Sequence, residues 1–220
     1  MSTVSHATHS TEHVPTTTGR TIRWAFAYDF VVRVLTMNRE DALRAETIRL
    51  AAIEDGASVL DAGCGTGTLT LRAKAAAGSA GKVVGIDAAP EMIAEARRKA
   101  TRAGVAVDFQ TGMIEALAFP DAMFDRVLSS LMMHHLPDDL KVPALAEVHR
   151  VLKPGGQLLI VDFDRSERPR GLAAHIHKQA PSTDTPLRSF VERAGFTGIE
   201  VGHLQGGSLA FMRGVRPRGC

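Results

Sequence analysis

From residue 57 onward, short apolar runs alternate with amphipathic stretches. Ser58-Val59-Leu60-Asp61-Ala62 predicts a buried strand, followed by a glycine turn. Thr68 to Ala77 predicts a helix, and Lys82 to Asp87 a second strand. Pro90 stands where a helix-opening proline belongs, so the spacing predicts a helix over 90–103, stopped by Gly104. Val105 to Gln110, Phe124 to Ser129 and Gln157 to Phe163 read as three further strands. A helix over Ala144 to Leu152 is broken by Pro154-Gly155-Gly156. A last helix, Thr185 to Ala194, is capped by Gly195. Thr197 to Leu204 and Ser208 to Val215 are two strands joined through Gly206-Gly207, a connection short enough for antiparallel pairing. Alternating strands and helices predict a parallel α/β sheet covered on both faces, finished by a hairpin. The unbroken run Leu158-Leu159-Ile160-Val161 fits a strand buried on both sides.

Upstream the pattern changes. Residues 1–20 are rich in Ser, Thr and His, show no period, and read as a mobile tail. His6, His9 and His13 are too loosely spaced to fix a metal geometry. Residues 21–56 read as an N-terminal helical cover, with a short helix around Trp24 to Leu35. A second helix opens near Asn38, where Asp41 completes a capping pattern. It carries Leu43, Thr47, Ile48, Leu50, Ala51 and Ile53 and is expected to end near Asp55-Gly56. Residues 57–220 form the main domain.

Composition narrows the function. With 26 basic and 24 acidic residues the net charge is +2, too even for a chain that grips nucleic acid or an anionic membrane. No run approaches the roughly 18 apolar residues of a membrane-spanning helix, and the N-terminus lacks the features of a secretory signal. The two cysteines, Cys64 and Cys220, give no disulfide framework. A cytoplasmic setting is therefore expected.

The most informative segment is Asp61-Ala62-Gly63-Cys64-Gly65-Thr66-Gly67. Ligands of open parallel sheets sit at the carboxyl ends of the strands. A glycine turn there lets the backbone approach a ligand closely. A carboxylate inside a strand, as at Asp61, is costly unless it pairs, and an incoming ammonium suits it. Asp87, twenty residues after Gly67, ends the second strand and can accept from both hydroxyls of a ribose. A nicotinamide dinucleotide meets the ribose demand; S-adenosylmethionine meets both.

At this point VLDAGCGTG, VVGIDAAPEMI, EALAFPDAMFDRVLSSLMMHHLPD and EVHRVLKPGGQLLIVDF resemble the class I S-adenosylmethionine-dependent methyltransferases. The resemblance is strongest to the broad group that includes the ubiquinone/menaquinone C-methyltransferases and many small-molecule methyltransferases. It runs over 57–164, and Tyr28-Asp29 resembles a Tyr-Asp element of the same group. The resemblance implies a Rossmann-like seven-stranded sheet with the last strand antiparallel. It implies that Gly63, Cys64 and Gly65 line the methionine part of S-adenosyl-L-methionine. Asp61 would meet its amino group, with a carbonyl from Ser129 nearby, and Tyr28 would cover its carboxylate. Asp87 would hold the ribose, Ala88 and Met92 would flank ribose and adenine, and Ile114 would meet the adenine edge. The group often has Asp where this chain has Met113, which removes one acceptor for the adenine amine.

His134 and His135 follow the fourth strand at the mouth of the expected site. Either can act as a base or cap the next helix. Asp162, at the end of the fifth strand, reads as a substrate-side contact or a structural acceptor. His149 and Lys153 read as a solvated helix face, and Cys64 as a small turn residue. His175 and His177 lack a third metal ligand. The expected activity is methyl transfer from S-adenosyl-L-methionine to an O, N or C nucleophile of a small molecule, yielding S-adenosyl-L-homocysteine. A non-catalytic cofactor-binding protein and a nucleotide-dependent oxidoreductase are the alternatives. The quinone methyltransferases suggest a phenolic ring carbon as acceptor. The polar 164–184 stretch, with Arg165, Arg168, Arg170 and Lys178, suits a polar or anionic acceptor equally. Oligomeric state is not legible.

Overall fold

The computed structural model describes residues 40–163, 187–205 and 209–219. The expectations for the N-terminal tail, the Trp24 to Leu35 helix, Tyr28, the capping Asn38, the polar 164–184 stretch and Gly206-Gly207 lie outside the described residues. The described strands are β1 (Ser58–Ala62), β2 (Lys82–Asp87), β3 (Asp108–Thr111), β4 (Phe124–Ser130), β5 (Leu152–Phe163), β6 (Thr197–His203) and β7 (Leu209–Val215). The helices are α1 (Glu40–Ala51), α2 (Thr68–Ala77), α3 (Pro90–Ala103), α4 (Asp138–Val151) and α5 (Leu187–Arg193), with a 3-10 turn at Met133–His135.

All seven strands form one sheet in the order β3-β2-β1-β4-β5-β7-β6. β1 to β5 pair in parallel, and β7 runs antiparallel to both β5 and β6. The expected hairpin is present, with the last strand inserted between β5 and β6. Alternate residues of each central strand feed opposite cores. Leu60, Val127, Leu158 and Ile160 pack under α4 and α5, against Leu145, Val148, Phe190 and Val191. Val59, Leu128, Leu159 and Val161 pack under α1 and α2, against Leu50, Leu69, Ala73 and Ala77. Two-sided burial is why these strands read as continuous apolar runs.

Several boundaries differ from expectation. α4 begins at Asp138, six residues before the predicted Ala144. Pro143 sits inside it and removes one backbone donor, yet the first turn is held by Asp138, Asp139 and the Lys141–Asp138 ion pair. α1 ends at Ala51 rather than near Asp55, because Ala52 takes a positive φ of 45°. Arg126 donates to the carbonyls of Ala51 and Ala52 (3.0–3.2 Å), satisfying acceptors left over at the helix end. β3 starts at Asp108 because Gly104 closes α3 in the left-handed region and Val105 N–H turns back to Ala100. β5 runs through Pro154-Gly155-Gly156 instead of starting after it, with a register shift against β4.

His149 is not on a solvated face. Its ring packs edge-on against Phe196 (centroids 5.2 Å apart), and its Nε2 is buried without a hydrogen-bond partner among the described residues. Lys153 pairs with Asp125 at 2.8 Å. Phe109, 2% exposed, lies beneath the glycine turn: a Cβ on Gly67 would approach its ring to 2.7 Å, and one on Gly85 would do the same.

Phe109→Ala is therefore expected to cost about 3–5 kcal/mol and to loosen the turn above it, read as a lowered denaturation midpoint. Burial, followed by the nearby Arg216 charge, holds the His149 imidazole below its ordinary 6.5. The unfolded chain then binds this proton more readily, so the contribution is complete above 6.5 and lost as pH falls. Urea melts at about pH 7.5 and about pH 5.5 should show that loss, and His149→Leu should flatten it.

Candidate functional site

The carboxyl ends of β1, β2, β4 and β5 meet at one edge of the sheet, and the glycine turn occupies its centre. Both Gly63 and Cys64 donate their N–H groups to the carbonyl of Ile86 (2.9 and 2.8 Å), which folds the turn back over β2. Gly67 then opens α2 with φ 78°, a conformation open to glycine and strained for other residues. Gly63 also has a positive φ, and a Cβ there would strike the side chain of Met132 at 2.4 Å.

Asp61 is 1% exposed. Its Oδ2 accepts from Thr70 Oγ1 at 2.6 Å, while Oδ1 is buried with no partner among the described residues. Burial pushes its carboxyl up to about 6, against the opposing Thr70 hydrogen bond and Arg44 charge. A cavity opens beside it, walled by Gly63, Cys64, Gly65 and Thr66 of the turn, by Glu40, Leu43, Arg44 and Thr47 of α1, and by Ser130, Leu131 and Val161 at the ends of β4 and β5. Arg44 is ion-paired with Glu40 within α1.

Asp87 accepts from Gly65 N–H at Oδ2 and from Ala89 N–H at Oδ1, both at 2.9 Å. Burial raises its carboxyl, and the two N–H groups oppose that. It does not line the cavity and is coupled to it through Gly65. Each carboxylate oxygen retains acceptor capacity. Ala88 follows in the same bend, half-buried. Met92 is 3% exposed in the first turn of α3 and is not part of the cavity wall.

Met113 forms an isolated bridge with Ala116, making a tight turn that carries the buried Ile114. Arg150 staples the loop that follows, donating to the carbonyls of Leu117 (2.9 Å) and Phe119 (2.8 Å), while Glu147 accepts from Leu117 N–H. Ser129 is buried, with an unpartnered Oγ among the described residues. The Cys64 thiol is pushed well up by burial, then by the charges of Asp61 and Asp87, which suits an inert turn residue.

His134 and Asp162 come together across 28 residues. The imidazole Nδ1 lies 2.6 Å from Asp162 Oδ1, and His134 N–H donates to Oδ2 at 2.9 Å. The His135 ring lies 3.9 Å from that of His134, tilted by 43°. Sequence reasoning missed Arg44 and the part of α1 that walls the cavity. Leu43 and Thr47 lay on the expected apolar face of that helix, and one further turn of the helical wheel would have shown Arg44 beside them.

A protein-family model described as a methyltransferase domain matches residues 59–156. A demethylmenaquinone methyltransferase from Thermus thermophilus is 40% identical over 136 residues, spanning 62% of this chain and 60% of that protein. A ubiquinone/menaquinone biosynthesis C-methyltransferase from Escherichia coli is 29% identical over 222 residues and 87% of each chain. A crystal structure of a S-adenosylmethionine-dependent methyltransferase from Aquifex aeolicus superposes with a TM-score of 0.65 at 24% identity, covering 78% of this chain and 88% of that one. The strand order, the glycine turn between two acidic strand residues, and these likenesses agree: the chain is similar in sequence and in fold to the S-adenosylmethionine-dependent methyltransferases.

Proposed function

We propose that the protein transfers a methyl group from S-adenosyl-L-methionine to an oxygen, nitrogen or carbon nucleophile of a small molecule, leaving S-adenosyl-L-homocysteine. The observation that carries this reading is Asp61 Oδ1, buried beside a cavity and without a partner among the described residues. An acceptor without a donor in a water-poor place is unfavourable, and an ammonium satisfies it in charge and in hydrogen bonding. The amino-acid end of the cofactor also bears a carboxylate, and Arg44 on the facing wall is its complement. Asp87 is the acceptor for the ribose hydroxyls. Ile114, in the turn just before the loop held by Arg150, meets the adenine with Met113 beside it, and apolar contact replaces a hydrogen bond there.

When bound, the cofactor supplies an electrophilic methyl on a sulfonium. Alignment and exclusion of water supply most of the rate in such an in-line displacement. His134 and His135 are the residues this reading places on the acceptor side. The names of the bacterial relatives favour a ring of the quinone-biosynthesis type as acceptor, whose hydroxyl and ring carbon are both nucleophiles. The balanced charge favours a small acceptor over nucleic acid.

A thermal-shift comparison separates the rival ligands: S-adenosylhomocysteine should raise the melting temperature and NAD should not. The reverse result would overturn the reading in favour of an oxidoreductase. Asp87→Ala should weaken S-adenosylhomocysteine binding by more than about tenfold, or about 1.4 kcal/mol, by calorimetry; unchanged affinity sinks the ribose assignment. Asp61 gives a paired expectation. Its folded value of about 6 exceeds the ordinary 3.8, so the protonated form favours the ligand-free fold, and that contribution is lost as pH rises through about 6. Asp61→Asn should raise the ligand-free melting temperature by about 2–4 °C near neutrality. It should also abolish the rise in S-adenosylhomocysteine affinity that the wild type shows as pH increases through about 6.

A further inference from the structure

We propose that Asp162 is a positioning residue that fixes His134 as a proton acceptor, and that the protein methylates a hydroxyl oxygen. The proposal rests on the methyltransferase reading above and selects among its acceptors.

β4 and β5 end side by side, with Ser130 opposite Val161 and Leu131 N–H donating to the Val161 carbonyl at 2.8 Å. Leu131 and Val161 both wall the cavity, and the Met132 side chain lies against Gly63. His134 stands three positions after Leu131 and Asp162 directly after Val161; neither is itself part of the wall, and the reading above sets them on the acceptor side. Their side chains are only 19% and 11% exposed. The Asp162 carboxylate receives three donors: His134 N–H at Oδ2, and Phe163 N–H (2.8 Å) with the His134 ring at Oδ1. A carboxylate so arranged only accepts, so the ring proton sits on Nδ1 and the lone pair on Nε2. The backbone bond alone ties the turn to β5. The second bond adds orientation and tautomer to the imidazole, as an acidic partner does for a catalytic histidine. The Phe163 ring, edge-on with centroids 5.1 Å away, limits rotation further.

An amine brings its own lone pair and can shed its proton after transfer; a hydroxyl is a weak nucleophile until a base takes its proton. In the step assigned here the acceptor O–H bond breaks and its proton passes to His134 Nε2. The oxygen pair forms the new O–C bond while the former C–S pair stays on sulfur, and the imidazolium returns its proton to water.

The test reads the tautomer in the full-length protein saturated with S-adenosylhomocysteine, by long-range proton–nitrogen correlation of the imidazoles, with His134→Gln assigning the signal. The wild type should carry the proton on Nδ1, and Asp162→Asn should shift it to Nε2 while holding S-adenosylhomocysteine affinity within about threefold. A proton on Nε2 in the wild type, or on Nδ1 in both proteins, overturns the proposal. A wild type that does not bind S-adenosylhomocysteine overturns the methyltransferase reading instead. With S-adenosylmethionine, a panel of phenols, catechols and hydroxyquinones set against anilines and alkylamines completes the test. Turnover confined to the hydroxyl set, O-methylated products and a fall of about 100-fold or more in kcat for His134→Gln are expected. Equal turnover of the amines, or ring-methylated products, overturns the hydroxyl assignment.

Discussion

The hydrogen bond from Thr70 to Asp61 is what allows a carboxylate to sit inside the sheet. One oxygen is satisfied by it, and the other has no partner among the described residues. For Thr70 to reach, α2 must begin immediately after the turn and lie close to β1. That requires the turn to reverse within five residues, from Gly63 to Gly67, and the two N–H groups on the Ile86 carbonyl enforce the reversal. The turn in turn rests on Phe109, whose ring fills the space that side chains at Gly67 and Gly85 would occupy. β2 and β3 thereby support, through Phe109 and the turn, a carboxylate carried on β1. A fold that retains half-satisfied charge at its centre accepts lower stability in exchange for a site shaped before its ligand arrives.

The cavity and the His134 turn are held by different means. The cavity beside Asp61 depends on backbone reversal and on helix placement. α1 is fixed at its C-terminal end by Arg126, and Arg213 also reaches the Leu50 carbonyl. Its first two turns are thereby carried over the cavity. The His134 turn depends on side chains, with the 3-10 turn tied to the end of β5 through a single carboxylate. On the opposite face, the Arg150 and Glu147 pair fixes the loop after β3 by binding its backbone from α4. No described helix is long and apolar enough to cross a membrane.

What was legible in the sequence follows from how local each cause is. β1, β2, α2 and α3 were read at their observed limits, because the apolar runs, Pro90 and the glycine stops act within a few residues. α4 extends six residues before its expected start, across Pro143, because an acidic first turn and the Lys141–Asp138 ion pair hold a segment without a strong apolar period. His149 looked like a surface residue because its partner Phe196 lies 47 positions away, beyond any periodicity. Asp61 and Asp87 were visible through their spacing around the glycines. The bond from Gly65 to Asp87 was not, since a side chain closing back on the turn depends on the tertiary course of β2. Asp162 was open to two readings until its distance to His134 settled what it touches.

The insertion of β7 between β5 and β6 has a consequence in time. β1 to β5 can pair as soon as the chain through Phe163 has been made, since their partners all precede that point. β6 is made next, but its only described partner in the sheet is β7, which follows β6 in the chain. On the ribosome, at about 5–20 residues per second, β5 therefore spends seconds with an unpaired hydrogen-bonding edge. Such an edge invites association with other chains. The half of the sheet that carries His134 and Asp162 is thus exposed to misassembly during synthesis, while the strands that flank the glycine turn are already free to pair.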